Sequence, residues 1–132
     1  MRTDWSQAWS ATSTGSLDEP GGAWVPPLDI LEGPDGLEIR VDVAGVAADA
    51  LMVTVRLGRL IIEGHKATTC GQARAFHVAE RTTGRFSRSL PLRMPFDAGA
   101  IRARLEHGEL RIRVPRITER RGRTIRVPIE TA

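Results

Sequence analysis

Between residues 37 and 114, apolar and polar positions alternate with a period of two in one stretch after another. Leu37-Glu38-Ile39-Arg40-Val41-Asp42-Val43 is the cleanest run, and Leu51-Met52-Val53-Thr54-Val55-Arg56-Leu57 repeats it. Phe86-Ser87-Arg88-Ser89-Leu90-Pro91-Leu92, Ile101-Arg102-Ala103-Arg104-Leu105 and Leu110-Arg111-Ile112-Arg113-Val114 follow the same rule. Successive side chains of a strand point to opposite faces, so each run turns one apolar face to a core and leaves Arg, Glu, Asp and Thr to water. Strands with one wet face belong in antiparallel sheets. Leu60-Ile61-Ile62 lacks the alternation and predicts a short strand buried on both sides.

Turn residues punctuate the runs. Gly33-Pro34-Asp35-Gly36 reverses the chain before the first long strand, and Leu57-Gly58-Arg59 and Glu106-His107-Gly108-Glu109 predict hairpins. Pro95-Phe96-Asp97-Ala98-Gly99 reads as a short loop, and residues 65–75, with no apolar period, as a flexible one. Helix is confined to a brief turn within residues 47–51. Seven or eight short strands at this spacing predict an all-β chain folded as an immunoglobulin-like β-sandwich.

Composition divides the 132 residues into an arm, one domain and an extension. Residues 1–25 form a Ser, Thr and Gly-rich N-terminal arm with isolated tryptophans, 26–115 carry the alternation, and 116–132 form a basic C-terminal extension. The net charge is only +3, and every basic residue but Lys66 is arginine, so the high pI does not demand an anionic partner. The cluster Arg120, Arg121, Arg123 and Arg126 lacks the interleaved aromatics of a single-strand nucleic-acid site and reads as a solvated spacer, so no nucleic-acid partner is expected. No stretch approaches the roughly 18 consecutive apolar residues of a membrane helix, and no membrane partner is expected. Asp4, Trp5 and Gln7 stand where a signal peptide needs its apolar core, and the single Cys70 suits a reducing compartment. A cytoplasmic location is the expectation.

Catalytic and metal-binding patterns are missing. Neither glycine-rich phosphate cradle occurs, His65, His77 and His107 are scattered singly, and Cys70 has no second cysteine for a zinc site. Ser87 and Ser89 fall within a strand rather than on a nucleophile elbow. No enzyme, cofactor or metal is expected.

Several motifs, in order, carry a resemblance. Leu28-Asp29-Ile30-Leu31-Glu32, Gly36-Leu37 and Val41-Asp42-Val43-Ala44-Gly45-Val46 match a pair of opening strands and their turn. Leu60-Ile61-Ile62-Glu63-Gly64, Glu80-Arg81-Thr82-Thr83-Gly84-Arg85-Phe86-Ser87-Arg88 and Ala103-Arg104-Leu105-Glu106-His107-Gly108-Glu109-Leu110 complete the set. Together they resemble the α-crystallin domain of small heat-shock proteins over about residues 26–115, plus the tail. Two departures stand out: Arg93-Met94 intervene before Pro95 where the family usually has proline at once, and the arm is short for the family.

The resemblance implies an ATP-independent holdase, a chaperone that binds partly unfolded client proteins under heat or other stress and assembles from homodimers into higher oligomers. The rival is a monomeric co-chaperone or scaffold sandwich that recruits an ATP-driven chaperone. Ile125-Arg126-Val127-Pro128-Ile129 looks like the family's I-x-I/V anchor, with Ile125 and Val127 or Val127 and Ile129 as the docking pair. Pro128 removes a backbone donor but keeps the segment extended. The groove of a neighbouring subunit would be lined by Leu51, Val53, Val55, Ile101 and Ala103; the plainer reading makes these core residues and the tail a last strand of its own sandwich. By the same resemblance, a strand carrying Phe76 and Val78 crosses to a partner and pairs with Leu28 and Ile30, and Arg88 meets a carboxylate at that contact. Trp5, Trp9 and Trp24 are the candidates for contact with clients or other arms, the alternative being that they pack on their own domain.

Overall fold

The computed structural model describes residues 21–117 and 125–131. The strands are β1 (Gly21–Gly22), β2 (Leu28–Gly33), β3 (Gly36–Asp42), β4 (Leu51–Arg56), β5 (Arg59–Lys66), β6 (Gly84–Pro91), β7 (Arg102–Glu106), β8 (Glu109–Pro115), β9 (Ile125–Val127) and β10 (Ile129–Thr131). They form two five-stranded sheets, ordered β1-β6-β5-β4-β9 and β10-β7-β8-β3-β2. The alternating runs become these strands, and their apolar faces meet between the sheets. Ile39, Val41, Leu60, Ile62, Leu90, Leu110 and Ile112 are at most 1% exposed there.

Local chemistry sets the reversals. Leu57 and Gly58 (φ 52° and 75°), and likewise His107 and Gly108 (52° and 76°), place two consecutive residues in the left-handed region between paired strands. That is the geometry whose twist matches a two-residue hairpin, with glycine in the second position.

Two expectations need correction. Ile61 is half-buried while Leu60 and Ile62 are buried, because β5 lies between β4 and β6 with the core on one face only. Strand β5 also continues through His65 and Lys66, where a loop was expected, because these residues pair with Arg85 and Gly84 of β6. The 95–99 stretch is a loop, as the sequence predicts, and it also contributes to the core: Met94 just before it and Phe96 and Ala98 within it are buried. Backbone bonds hold it there, from Asp97 N–H to the Pro115 carbonyl (3.1 Å) and from Ile117 N–H to the Pro95 carbonyl (3.1 Å). Met94, one of the two residues that intervene before Pro95, lies in the core. The predicted helical turn is a 3-10 turn at Ala48–Ala50, and a second one follows at Ala98–Ala100.

Candidate functional site

A sandwich has two seams where the edges of its sheets approach. On one of them β4 and β7 would each present an unpaired edge, and the C-terminal segment lies along both. β9 pairs antiparallel with β4, setting Val53 opposite Val127, Thr54 opposite Arg126 and Val55 opposite Ile125. After Pro128 the chain crosses the seam, and β10 pairs parallel with β7, Ile129 opposite Ala103 and Thr131 opposite Leu105. Proline fits this crossing: it sits between the two short ladders and keeps the chain extended.

Side-chain burial follows from this register. Val127 is 2% exposed, and Ile129 is half-buried against the core, whereas Arg126, Pro128 and Glu130 face solvent. Of the two docking pairs the sequence allows, Val127 and Ile129 straddle the seam, one on each sheet. The side chain of Ile125 lies outside the described residues. All five predicted groove residues are buried: Leu51, Val53, Val55, Ile101 and Ala103 are at most 5% exposed. They are core residues and groove floor at once, because the seam opens directly onto the interior. In this single chain the tail lies on its own domain.

The opposite edge of the second sheet is β2, which pairs only with β3 among the described strands. Leu28 and Ile30 are half-buried on its inner face. Phe76 and Val78 sit in the segment between β5 and β6, 56% and 71% exposed, and form no strand within the single chain.

Arg88 lies on β6, half-buried between Phe86 and Leu90. Its Nη1 donates to the Pro26 carbonyl at 2.7 Å, and burial holds its guanidinium below its ordinary pKa. This contact ties β6 to the chain entering β2.

Trp5 and Trp9 lie outside the described residues. Trp24, expected with them as an exposed aromatic, is instead half-buried on its own domain. Its Nε1 donates to the Gly84 carbonyl at 2.9 Å, its ring meets Phe86 edge-on with centroids 5.1 Å apart, and Lys66 Nζ lies 5.7 Å from the ring centre. The indole N–H thus finds an acceptor and the ring an apolar platform, the two needs of a buried tryptophan. Gly21 and Gly22 extend the attachment by pairing with Ser87 and Phe86 as β1. Sequence reasoning missed this strand, because two glycines carry no alternation.

Among the described residues no helix is long and apolar enough to cross a membrane, and no three His, Cys, Asp or Glu side chains are gathered where they would hold a metal ion.

Comparison with known proteins gives these surfaces a context. A 21.9 kDa heat shock protein of rice, Oryza sativa subsp. japonica, is 30% identical over 130 residues, covering 91% of this chain and 63% of that one. Small heat shock protein C2 of Rickettsia felis is 30% identical over 104 residues, covering 78% of this chain and 68% of that one. The chain therefore spans about two thirds of the length of these relatives. Among solved structures, a small heat-shock protein from Xylella fastidiosa superposes with a TM-score of 0.66 at 34% identity, over 75% of this chain and 94% of that one. Heat shock protein 16.0 of Schizosaccharomyces pombe gives 0.68 at 26% identity, over 74% and 78%. The profile of the Hsp20/alpha crystallin family matches residues 29–130, from β2 through the docked tail, and the chain belongs to that family.

Proposed function

We propose that this protein is an ATP-independent holdase, which binds partly unfolded proteins and keeps them from aggregating, and that it works as a reversible assembly of homodimers. The observation that carries the reading is the β4–β7 seam, which accepts an extended segment by backbone pairing on both sides and by apolar burial of alternate side chains. This is strand addition to exposed sheet edges, a mode in which main-chain bonds supply affinity and tolerate varied sequence.

Magnitudes favour reversibility. Burying an aliphatic side chain contributes roughly 1.5–3 kcal/mol. Val127 and Ile129 together give about 3–6 kcal/mol gross, less the cost of ordering the segment. One tail is therefore held weakly. The same pairing serves within a chain or between chains, and exchange of an identical element is a low-cost route to assembly. Several tails in one oligomer then act together through effective concentration.

For the dimer, a β2 edge that pairs only with β3 among the described strands and an exposed segment with Phe76 and Val78 support exchange of that segment between two chains, with Arg88 at the contact. The tryptophans of the arm, Trp5 and Trp9, remain the proposed client contacts. We take its working place to be the cytoplasm.

The test is to heat a labile client with this protein and no nucleotide, then separate the mixture by size. A soluble complex holding both proteins supports the holdase. A client that precipitates while this chain elutes unchanged as a monomer contradicts it and favours the scaffold reading.

A further inference from the structure

Each strand of the β10-β7-β8-β3-β2 sheet contributes one outward residue to a single row across its solvent face. In register these are Glu130, Arg104, Arg111, Arg40 and Asp29. Three arginines thus stand on three adjacent strands with a carboxylate at either end, and the one at the β10 end belongs to the tail. The row beneath it, on the inner face, is Ile129, Ala103, Ile112, Ile39 and Ile30. The tail strand therefore completes an apolar row with one residue and a charged row with the next.

Like charges directly opposite one another on neighbouring strands are unfavourable, and opposite charges are favourable. Within the domain, carboxylates two positions along each strand relieve the three arginines: Glu38 is 2.7 Å from Arg40, Glu109 is 2.6 Å from Arg111, and Glu106 is 3.4 Å from Arg104. The Arg104 pair is the longest of the three, and Arg104 is the arginine at the open end of the row. The register of docked β10 places Glu130 opposite its other flank.

We infer that Arg104 is a specificity residue of the groove: it selects this chain's tail by the acidic residue that follows the second aliphatic anchor, and so fixes the tail's direction and register. The inference rests on the tail-docking reading above, and it adds charge matching to apolar fit. A tail slipped by one residue would place Ile129 or Thr131 beside Arg104, losing the carboxylate and turning the anchor to water.

The test uses the full chain and amide hydrogen exchange of residues 125–131, read by mass spectrometry, in Arg104→Glu, Glu130→Arg and the double reversal. Each single reversal should speed exchange there about three- to tenfold, and the double should return it to within about twofold of the original. Unchanged protection of β3 and β8 shows that the domain stays folded. If Arg104→Glu does not fold, Glu130→Arg is compared with Glu130→Gln, and the reversed charge must speed exchange more than the neutral one. A protected tail whose two reversals combine independently, or a Glu130→Arg chain no faster than Glu130→Gln, overturns this inference alone. A tail that exchanges like free peptide in the unaltered chain overturns both it and the docking reading.

Discussion

Gly64 on β5 lies directly across from Phe86 on β6, and the ring of Phe86 fills the space a side chain at 64 would need. A Cβ there would stand 2.5 Å from Phe86 Cζ and 2.9 Å from Leu51 Cδ2. Gly64 thus supplies room, and the glycine that closes the Leu60–Gly64 motif and the phenylalanine of the Arg85-Phe86-Ser87-Arg88 motif are two halves of one packing arrangement. Gly64→Ala should destabilise the domain by about 1–3 kcal/mol through overpacking. Each kcal/mol lowers Tm by roughly 4–8 °C in a domain of this size. Phe86→Leu in the same chain should recover part of the loss. A Gly64→Ala chain melting with the original contradicts this.

The same phenylalanine holds Trp24. With Trp5 and Trp9 replaced by phenylalanine, Trp24 becomes the sole indole reporter. Its emission should be blue-shifted and should stay so when a heated client is added. Trp24→Ala should cost about 1–3 kcal/mol, the range for losing part of a buried aromatic and its hydrogen bond. A water-like emission maximum would show that the indole leaves Phe86 in solution.

Burial separates the tail anchors. Val127→Ala should weaken tail docking more than Ile129→Ala, since Val127 is the more enclosed of the two. Alanine at 125, 127 and 129 together should reduce the oligomer to dimers in a light-scattering mass measurement, and an unchanged mass contradicts the anchor. Cysteines at Thr54 and Arg126, with Cys70→Ser, report where each tail goes. These positions are directly opposed across β4 and β9, within reach of a disulfide. Cross-linked single chains at low concentration, giving way to cross-linked pairs and larger species as concentration rises, mark tail exchange. Absence of any cross-link contradicts the pairing.

The segment between β5 and β6 makes a separate prediction. If Phe76 and Val78 reach a partner's β2, deleting residues 68–79 yields monomers whose β-sheet signal by circular dichroism is preserved. Dimers that survive the deletion place the contact elsewhere.

The β3, β4, β7 and β8 strands were legible because each has one wet face, so alternation in the sequence maps directly onto burial. The legibility failed where that condition failed. Two glycines in β1 have no side chains to alternate, and Met94 and Phe96 are buried from a loop that has no period. Trp24 lies in a polar stretch, and its anchoring depends on Phe86, Gly84 and Lys66, all distant in sequence. The tail was readable as an apolar alternation, yet its path along β4 and then β7 was not, because it depends on strands distant in sequence. The charged row that ends in Glu130 was invisible for the same reason: it exists only across five strands.

The central claim is holdase activity, and light scattering from a heat-labile client tests it most directly. The client is warmed with increasing amounts of this protein and no ATP. The account predicts that scattering falls progressively and is suppressed near equal molar amounts. Scattering that is unaffected by a correctly folded sample, at any ratio, would contradict it.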